Sequence, residues 1–176
     1  SCGTWSLLGT ELDEPIIDEK SSFYNITNEG AYGDKASFLK NIIGLWLIQE
    51  SKRQWEREGI EYNFSALEKL ANEAEPFKCF IDPDDPIFVP AGNIPERIRE
   101  YCLKTNQEVP ETVGEIVRCI NESLALKYRA ALEEIMDSTG KTYPTMYMVG
   151  GGIQSKLLCQ MTANSCNCKV SSGPVE

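Results

Sequence analysis

The sequence predicts an α/β domain, and three observations carry that prediction. Trp5-Ser6-Leu7-Leu8 and Met146-Tyr147-Met148-Val149 are short strand-like runs near the two ends. The chain between them places its apolar residues mostly at helical spacing. Gly150-Gly151-Gly152 then breaks the second run, which resumes with helical spacing. In order, Gly3-Thr4 opens the first strand and a second strand follows it. Between Gly33 and Gly59, Leu39, Ile42, Ile43, Trp46 and Leu47 lie close to a 3.6-residue period. Ala36 to Trp55 is therefore expected to form one buried amphipathic helix. Asn41 and Gln49, with Leu45 between them, fall on one polar stripe of that helix, where periodicity alone expects amides hydrogen-bonded at the core edge.

Ser65-Ala66-Leu67-Glu68 has the form of a capping box opening a short helix that ends before Pro76. Pro95-Glu96 opens another, running to about Thr105. The loop between them contains Asp82-Pro83-Asp84-Asp85-Pro86. It lacks the alternating register, the glycine and the closing glutamate of an EF-hand, and reads as a solvated turn stiffened by proline. Thr112-Val113-Gly114-Glu115 is a second capping box. Ile116, Val117, Ile120, Leu124, Tyr128, Leu132 and Ile135 then mark the apolar face of a long helix ending near Gly140. A strand, the Gly-rich turn, a helix and a last strand from Cys168 to Ser171 complete the order.

Two motifs are decoys. Gly140-Lys141-Thr142 copies the tail of a phosphate-binding P-loop, but position 135, which that motif needs as glycine, is Ile, and a strand follows instead of a helix. Asn25-Ile26-Thr27, Asn63-Phe64-Ser65 and Asn121-Glu122-Ser123 are glycosylation tripeptides of a kind that chance often supplies, and the third falls inside the long helix.

A chain of 176 residues is long enough to bury about 70% of its unfolded surface in one core, which suits a single domain. Its formal charge is −10, from 27 acidic and 17 basic residues. That balance disfavours nucleic acid and anionic membrane surfaces as partners. No apolar run approaches the roughly 20 residues of a membrane span, and no leader-like start is visible, so a cytoplasmic location is expected. Seven cysteines cannot all pair internally, and free buried thiols are the default. Cys166-Asn167-Cys168 with Cys159 upstream has neither a histidine nor a CxxC spacing to support zinc. Cys102 and Cys119, near the ends of two candidate helices, meet if those helices pack, although a reducing cytosol argues against a bond between them.

The three glycines bring the argument to function. Residues without Cβ let backbone approach a ligand, and the free N–H groups and positive dipole end of the following helix favour phosphate. The turn therefore reads as a nucleotide site or, equally, as a plain tight strand-to-helix connection. Ser1 to Gly9, with its hydroxyl-bearing Gly3-Thr4 turn, supplies a second segment able to close on phosphate oxygens. These two segments occur together with Thr27-Asn28-Glu29-Gly30, Leu39 to Gln49, Asp82 to Pro86 and Ser123 to Tyr128. In this order and spacing, the chain resembles the FGGY carbohydrate kinases over nearly its whole length, with only about Trp55 to Phe77 weakly marked.

The resemblance implies a ribonuclease H-like, actin-type ATPase domain truncated at both ends. Residues 1–176 then make up most of a C-terminal domain whose N-terminal companion is absent. It implies ATP with Mg²⁺ as the phosphoryl source, and a ketose hydroxyl in the interdomain cleft as acceptor. L-rhamnulose at its 1-hydroxyl comes first, with fuculose or xylulose as alternatives. An actin-like interaction module without catalysis is the rival from another class. The resemblance also implies nucleotide contacts at Thr4, Gln49 and Gly151 and a sugar contact at Asn41, and it puts the catalytic base before Ser1. Glu29 reads as a solvated loop glutamate. Ser155 and Asn164 stand where most members have Asn and Asp, and a hydroxyl at 155 has shorter reach and fewer donors than an amide.

Overall fold

The computed structural model describes residues 1–173. Strand β1 (Trp5–Leu12) leaves a tight turn in which Gly3 N donates to Trp5 O at 3.0 Å. It pairs antiparallel with β3 (Ala36–Ile43) from Trp5 opposite Ile43 to Leu12 opposite Ala36. The short strand β2 (Thr27–Gly30) lines the other edge of β3, and a five-residue helix, α1 (Glu19–Phe23), precedes it with Asp18 as its cap.

The single helix expected from Ala36 to Trp55 is thus two elements, β3 and α2 (Trp46–Arg57). Within β3, Ala36, Phe38 and Ile42 are buried and Asn41 is exposed, an alternation that suits a half-covered strand. The helical period arose because a β-branched strand end, Ile42-Ile43, abuts the apolar face of a separate helix. Gly44 is the joint. A side chain there would sit 2.7 Å from Gly3 O and 2.9 Å from Ser6 N, so the chain changes direction hard against β1.

Helix α3 (Phe64–Glu73) forms where expected, but Asn63 caps it by accepting from Ala66 N at 2.7 Å, and the Ser65–Glu68 box is not used. Asn63 has the extended backbone that a cap needs, which leaves Ser65 inside the first turn. Helix α4 (Ile94–Lys104) and helix α5 (Val113–Thr139) match expectation, α5 with both bonds of its Thr112–Glu115 capping box and a left-handed Gly140 at its end. The aspartate loop does more than meet solvent. Asp84 accepts from Ile43 N at 2.8 Å, and Asp82 and Asp84 both bind Lys127 of α5, so the loop ties β3 to the long helix.

Helix α5 is the spine of the core. Its Ile116, Ile120 and Leu124 are fully buried, and it packs on α3, on β1 and on α6 (Lys156–Cys166). Cys102 of α4 and Cys119 of α5 do meet, joined by Cys79, and all three are buried free thiols. Strands β4 (Thr145–Met148) and β5 (Lys169–Ser172) pair in parallel through the α6 crossover that parallel strands require. No helix among the described residues is long and apolar enough to cross a membrane.

A groove of about 310 Å³ separates β1 from β4, so the two sheets do not share a ladder. Cys2 spans it at one end. Its N–H donates to Val149 O at 2.7 Å and its carbonyl accepts from Gly152 N at 2.8 Å. The price is steric. Gly150 has φ +91°, and a Cβ on it would lie 2.9 Å from Cys2 O, while a Cβ on Gly152 would lie 2.2 Å from Cys2 Sγ. That sulfur is held by the Tyr128 hydroxyl at 3.5 Å and is not free to swing away.

Two expectations follow. Gly152→Ala should lower stability by about 1–3 kcal/mol through overpacking, whereas Gly151→Ala, whose Cβ meets nothing within 4 Å, should stay within about 0.5 kcal/mol of the parent. Equal denaturant midpoints for the two variants would sink this assignment. The second concerns Glu115, whose side chain is 16% exposed. Burial pushes its carboxyl up, but Lys78 and the Thr112 and Glu111 amides outweigh that and bring it down to about 2. A depressed folded value means the stabilisation is present above the ordinary value of 4.5 and is lost as pH falls toward 2. Glu115→Gln should cost about 0.5–2 kcal/mol at neutral pH as a lost cap and flatten the stability profile between pH 4.5 and 2. An unchanged slope in urea titrations across that window would contradict it.

Candidate functional site

Opposite the Cys2 clasp, a cleft of about 540 Å³ opens between the start of α2, the start of α3, the first third of α5 and the segment from Gly151 to Lys156. Each wall has a local cause. The turn at Gly44 sets the first residues of α2 beside β1, which points Gln49 into the cleft. The Cys2 clasp fixes Gly150 and Gly152, and the short 3-10 turn Gly151–Gln154 then leads into α6.

Two of the four predicted site residues, Gln49 and Gly151, line this cleft, and a third, Thr4, lies outside the lining but bonds to Gln49. Gln49 lines the cleft and is half-buried. Thr4 Oγ1 donates to Gln49 Oε1 at 3.1 Å, so the Gly3-Thr4 turn and α2 share one polar contact. Gly151 lines the opposite wall. It is the one glycine of the three whose missing side chain leaves open space, and it has no left-handed backbone. The other two are dictated by packing on Cys2. Asn41 does not join them. It lies in β3 opposite Leu7, exposed, and outside the cleft lining. Its predicted helical stripe with Gln49 does not exist, because the two amides belong to different elements.

The α6 N-terminus is also unlike the expectation. Its first-turn donors are already engaged: Leu157 N donates to Glu68 Oε1 at 3.0 Å, and Leu158 N donates to Ser155 Oγ at 3.1 Å. An internal carboxylate and a side-chain cap thus hold the place that a phosphate would take at a free helix end. Ser155 therefore has a structural task as the α6 cap. Asn164 is exposed and accepts from Gln160 Nε2 at 2.8 Å.

Two cleft residues escaped the sequence reading. Glu68 was absorbed into a capping box, and nothing local distinguishes a carboxylate that caps its own helix from one that reaches another. Asn121 was visible only as a glycosylation tripeptide. Its position one turn after Val117 and one before Ala125, on a buried face, was the available signal. Among the described residues, no group of three or more His, Cys, Asp or Glu is placed to hold a metal ion.

Residues 1–175 match the C-terminal domain of the FGGY family of carbohydrate kinases. Similar chains include rhamnulokinase from Bacteroides thetaiotaomicron, 42% identical over 176 residues, and rhamnulokinase from Bacillus subtilis, 39% identical over 176 residues. Both alignments cover 100% of this chain and 36% of the relative, so the chain spans about a third of their length. Among solved structures, xylulose kinase from Bifidobacterium adolescentis superposes with a TM-score of 0.65 at 14% identity, over 100% of this chain and 33% of that one. Ligand-bound xylulose kinase from Lactobacillus acidophilus gives 0.66 at 17%, over 97% and 34%. These likenesses show the fold, the ribonuclease H-like, actin-type α/β domain. With its family match running from the first residue to the next to last, the chain belongs to the FGGY family of carbohydrate kinases.

Proposed function

We propose that the chain is the nucleotide-holding C-terminal part of an ATP-dependent sugar kinase that makes L-rhamnulose 1-phosphate from L-rhamnulose, its N-terminal domain lying outside these residues. One observation carries the nucleotide reading: Gln49 and Gly151, from distant segments, line one cleft whose glycine wall is open, and Thr4 from a third segment bonds to Gln49 at its edge. The rhamnulokinases at about 40% identity support the choice of sugar. Fuculose or xylulose remains the alternative acceptor within the same chemistry, and a non-catalytic actin-like module the alternative outside it.

In phosphoryl transfer the protein supplies position and charge stabilisation, and a carboxylate receives the hydroxyl proton. Here Gly151 lets backbone lie against the nucleotide, and the Thr4–Gln49 pair offers a hydroxyl and an amide from the facing wall. Asn41 is the acceptor-side amide. It is exposed on β3, and the same run of chain continues through Gly44 to Gln49, so one segment would serve both substrates. As the family resemblance implies, the base belongs to residues outside this chain, and Glu29, exposed on β2 away from the cleft lining, is not assigned that role. Among the described residues no group of three or more His, Cys, Asp or Glu is placed to hold Mg²⁺. Sugar, ATP and an acidic surface suit a cytoplasmic enzyme with neither nucleic acid nor membrane as partner.

Two outcomes are expected. The 176-residue chain alone should turn over no sugar at any ATP concentration and should bind ATP only with a Kd on the order of 100 μM or weaker, because one wall of the cleft is all it has. Sugar-dependent ADP release by the chain alone, or nanomolar binding in calorimetry, would overturn this. Gly151→Val in the full-length protein should abolish nucleotide binding while leaving its melting temperature close to that of the parent, because the added isopropyl group enters open cleft without backbone strain. A folded variant with unchanged ATP affinity would remove Gly151 from the site.

A further inference from the structure

We infer that the cleft selects its nucleotide by the base and that Asn121 reads the exocyclic amino group of adenine. The inference rests on the nucleotide reading above and adds to it a discriminating residue. Asn121 is 2% exposed and lines the cleft. Its Nδ2 donates to Val117 O at 2.9 Å, one turn back on α5. Its Oδ1 has no partner, the one buried side-chain nitrogen or oxygen among the described residues of which that is true.

The orientation of the amide is fixed by chemistry. Turning it over would set Oδ1 against the Val117 carbonyl, acceptor against acceptor, and leave Nδ2 unpaired instead. A buried acceptor without a donor is costly, and native interiors rarely keep one. No donor among the described residues reaches it. Leu45, Ile48, Leu67 and Val117 give the cleft an apolar surface that suits a flat purine ring, while Gln49 is among the polar residues of the lining available to the rest of the nucleotide.

A donor brought in by the ligand satisfies Oδ1, and adenine carries one at C6. Guanine and hypoxanthine carry a carbonyl oxygen there, which sets two acceptors face to face. The cleft therefore accepts adenine and rejects 6-oxopurines. A site built to hydrogen-bond an N–H discriminates strongly against the analogue that lacks it, because its own buried polar atom is then left unpaired.

The test uses the full-length protein with ATP, inosine triphosphate and purine riboside triphosphate, which lacks the amino group, in calorimetric titrations. The parent should bind ATP at least roughly tenfold more tightly than either analogue. Asn121→Leu, close to isosteric, should bring ATP and inosine triphosphate within about twofold of each other, mainly by weakening ATP, with the melting temperature held or raised. A folded Asn121→Leu protein that keeps the parent's preference for ATP would overturn the assignment and leave Oδ1 to a buried water. If that variant fails to fold, the parent decides: equal affinity for ATP and purine riboside triphosphate overturns the inference. Absence of binding to any of the three would sink the nucleotide reading itself, a result distinct from binding without preference.

Discussion

The contact on which the site depends is the pair of backbone hydrogen bonds made by Cys2. Strands β1 and β4 share no ladder, so nothing in either sheet fixes where the Thr4 turn lies relative to the glycine turn. Cys2 N to Val149 O and Gly152 N to Cys2 O set that relation. Below them the Ser6 and Tyr128 hydroxyls meet at 2.7 Å, and Tyr128 also reaches the Cys2 sulfur, so the clasp is anchored to α5. Burial raises the Tyr128 hydroxyl well above its ordinary range, with Cys2 adding to the shift, and the phenol stays neutral as a hydrogen-bonding post. The glycines on either side of Gly151 follow from the same contact, because only a residue without Cβ fits against Cys2.

Helix α5 connects this clasp to the opposite wall of the cleft. Its capping box starts it, Glu115 binds Lys78 at 2.7 Å while closing the cap, and Arg118 and Glu122 tie its first turns to the loop after α3. With its N-terminal part held, that stretch of the helix is positioned to within the tolerance of core packing, and Val117 and Asn121 occupy fixed places along it. A side chain on a well-packed helix is better suited to discriminating a ligand than one on a loop, since its rotamer is set by neighbours before binding.

Much of the architecture was legible in the sequence because its signals are local. The Thr112–Glu115 box and Gly140 mark both ends of α5, and Pro95 and Thr105 bracket α4 nearly to the residue. The failure at Ala36 to Trp55 has a physical source. A buried strand running directly into an amphipathic helix produces an apolar period close to 3.6 across the joint, and Gly44 supports either reading until its contact with Gly3 and Ser6 is known. The candidate site was legible to the degree that it is made of backbone. Gly151 announced itself, and Thr4 and Gln49 followed from the family resemblance. Glu68 and Asn121 act through contacts 89 residues away and 4 residues away. The first is invisible to any local rule, and the second shows itself only as a polar residue on an apolar face.

Glu68 bears on how an anionic ligand would sit here. The chain is strongly acidic, so long-range attraction gives a nucleotide no help. The α6 N-terminus, the obvious local remedy, spends an N–H on Glu68 and another on Ser155. A carboxylate at that place stabilises the helix as a phosphate would and also repels one. Phosphates on the proposed reading therefore lie toward Thr4 and Gln49, away from α6, and the base lies toward α5. On that reading the polarity of the nucleotide along the cleft is set by the Glu68 carboxylate occupying the helix end, and the apolar lining with the unpaired Asn121 oxygen is left for the base.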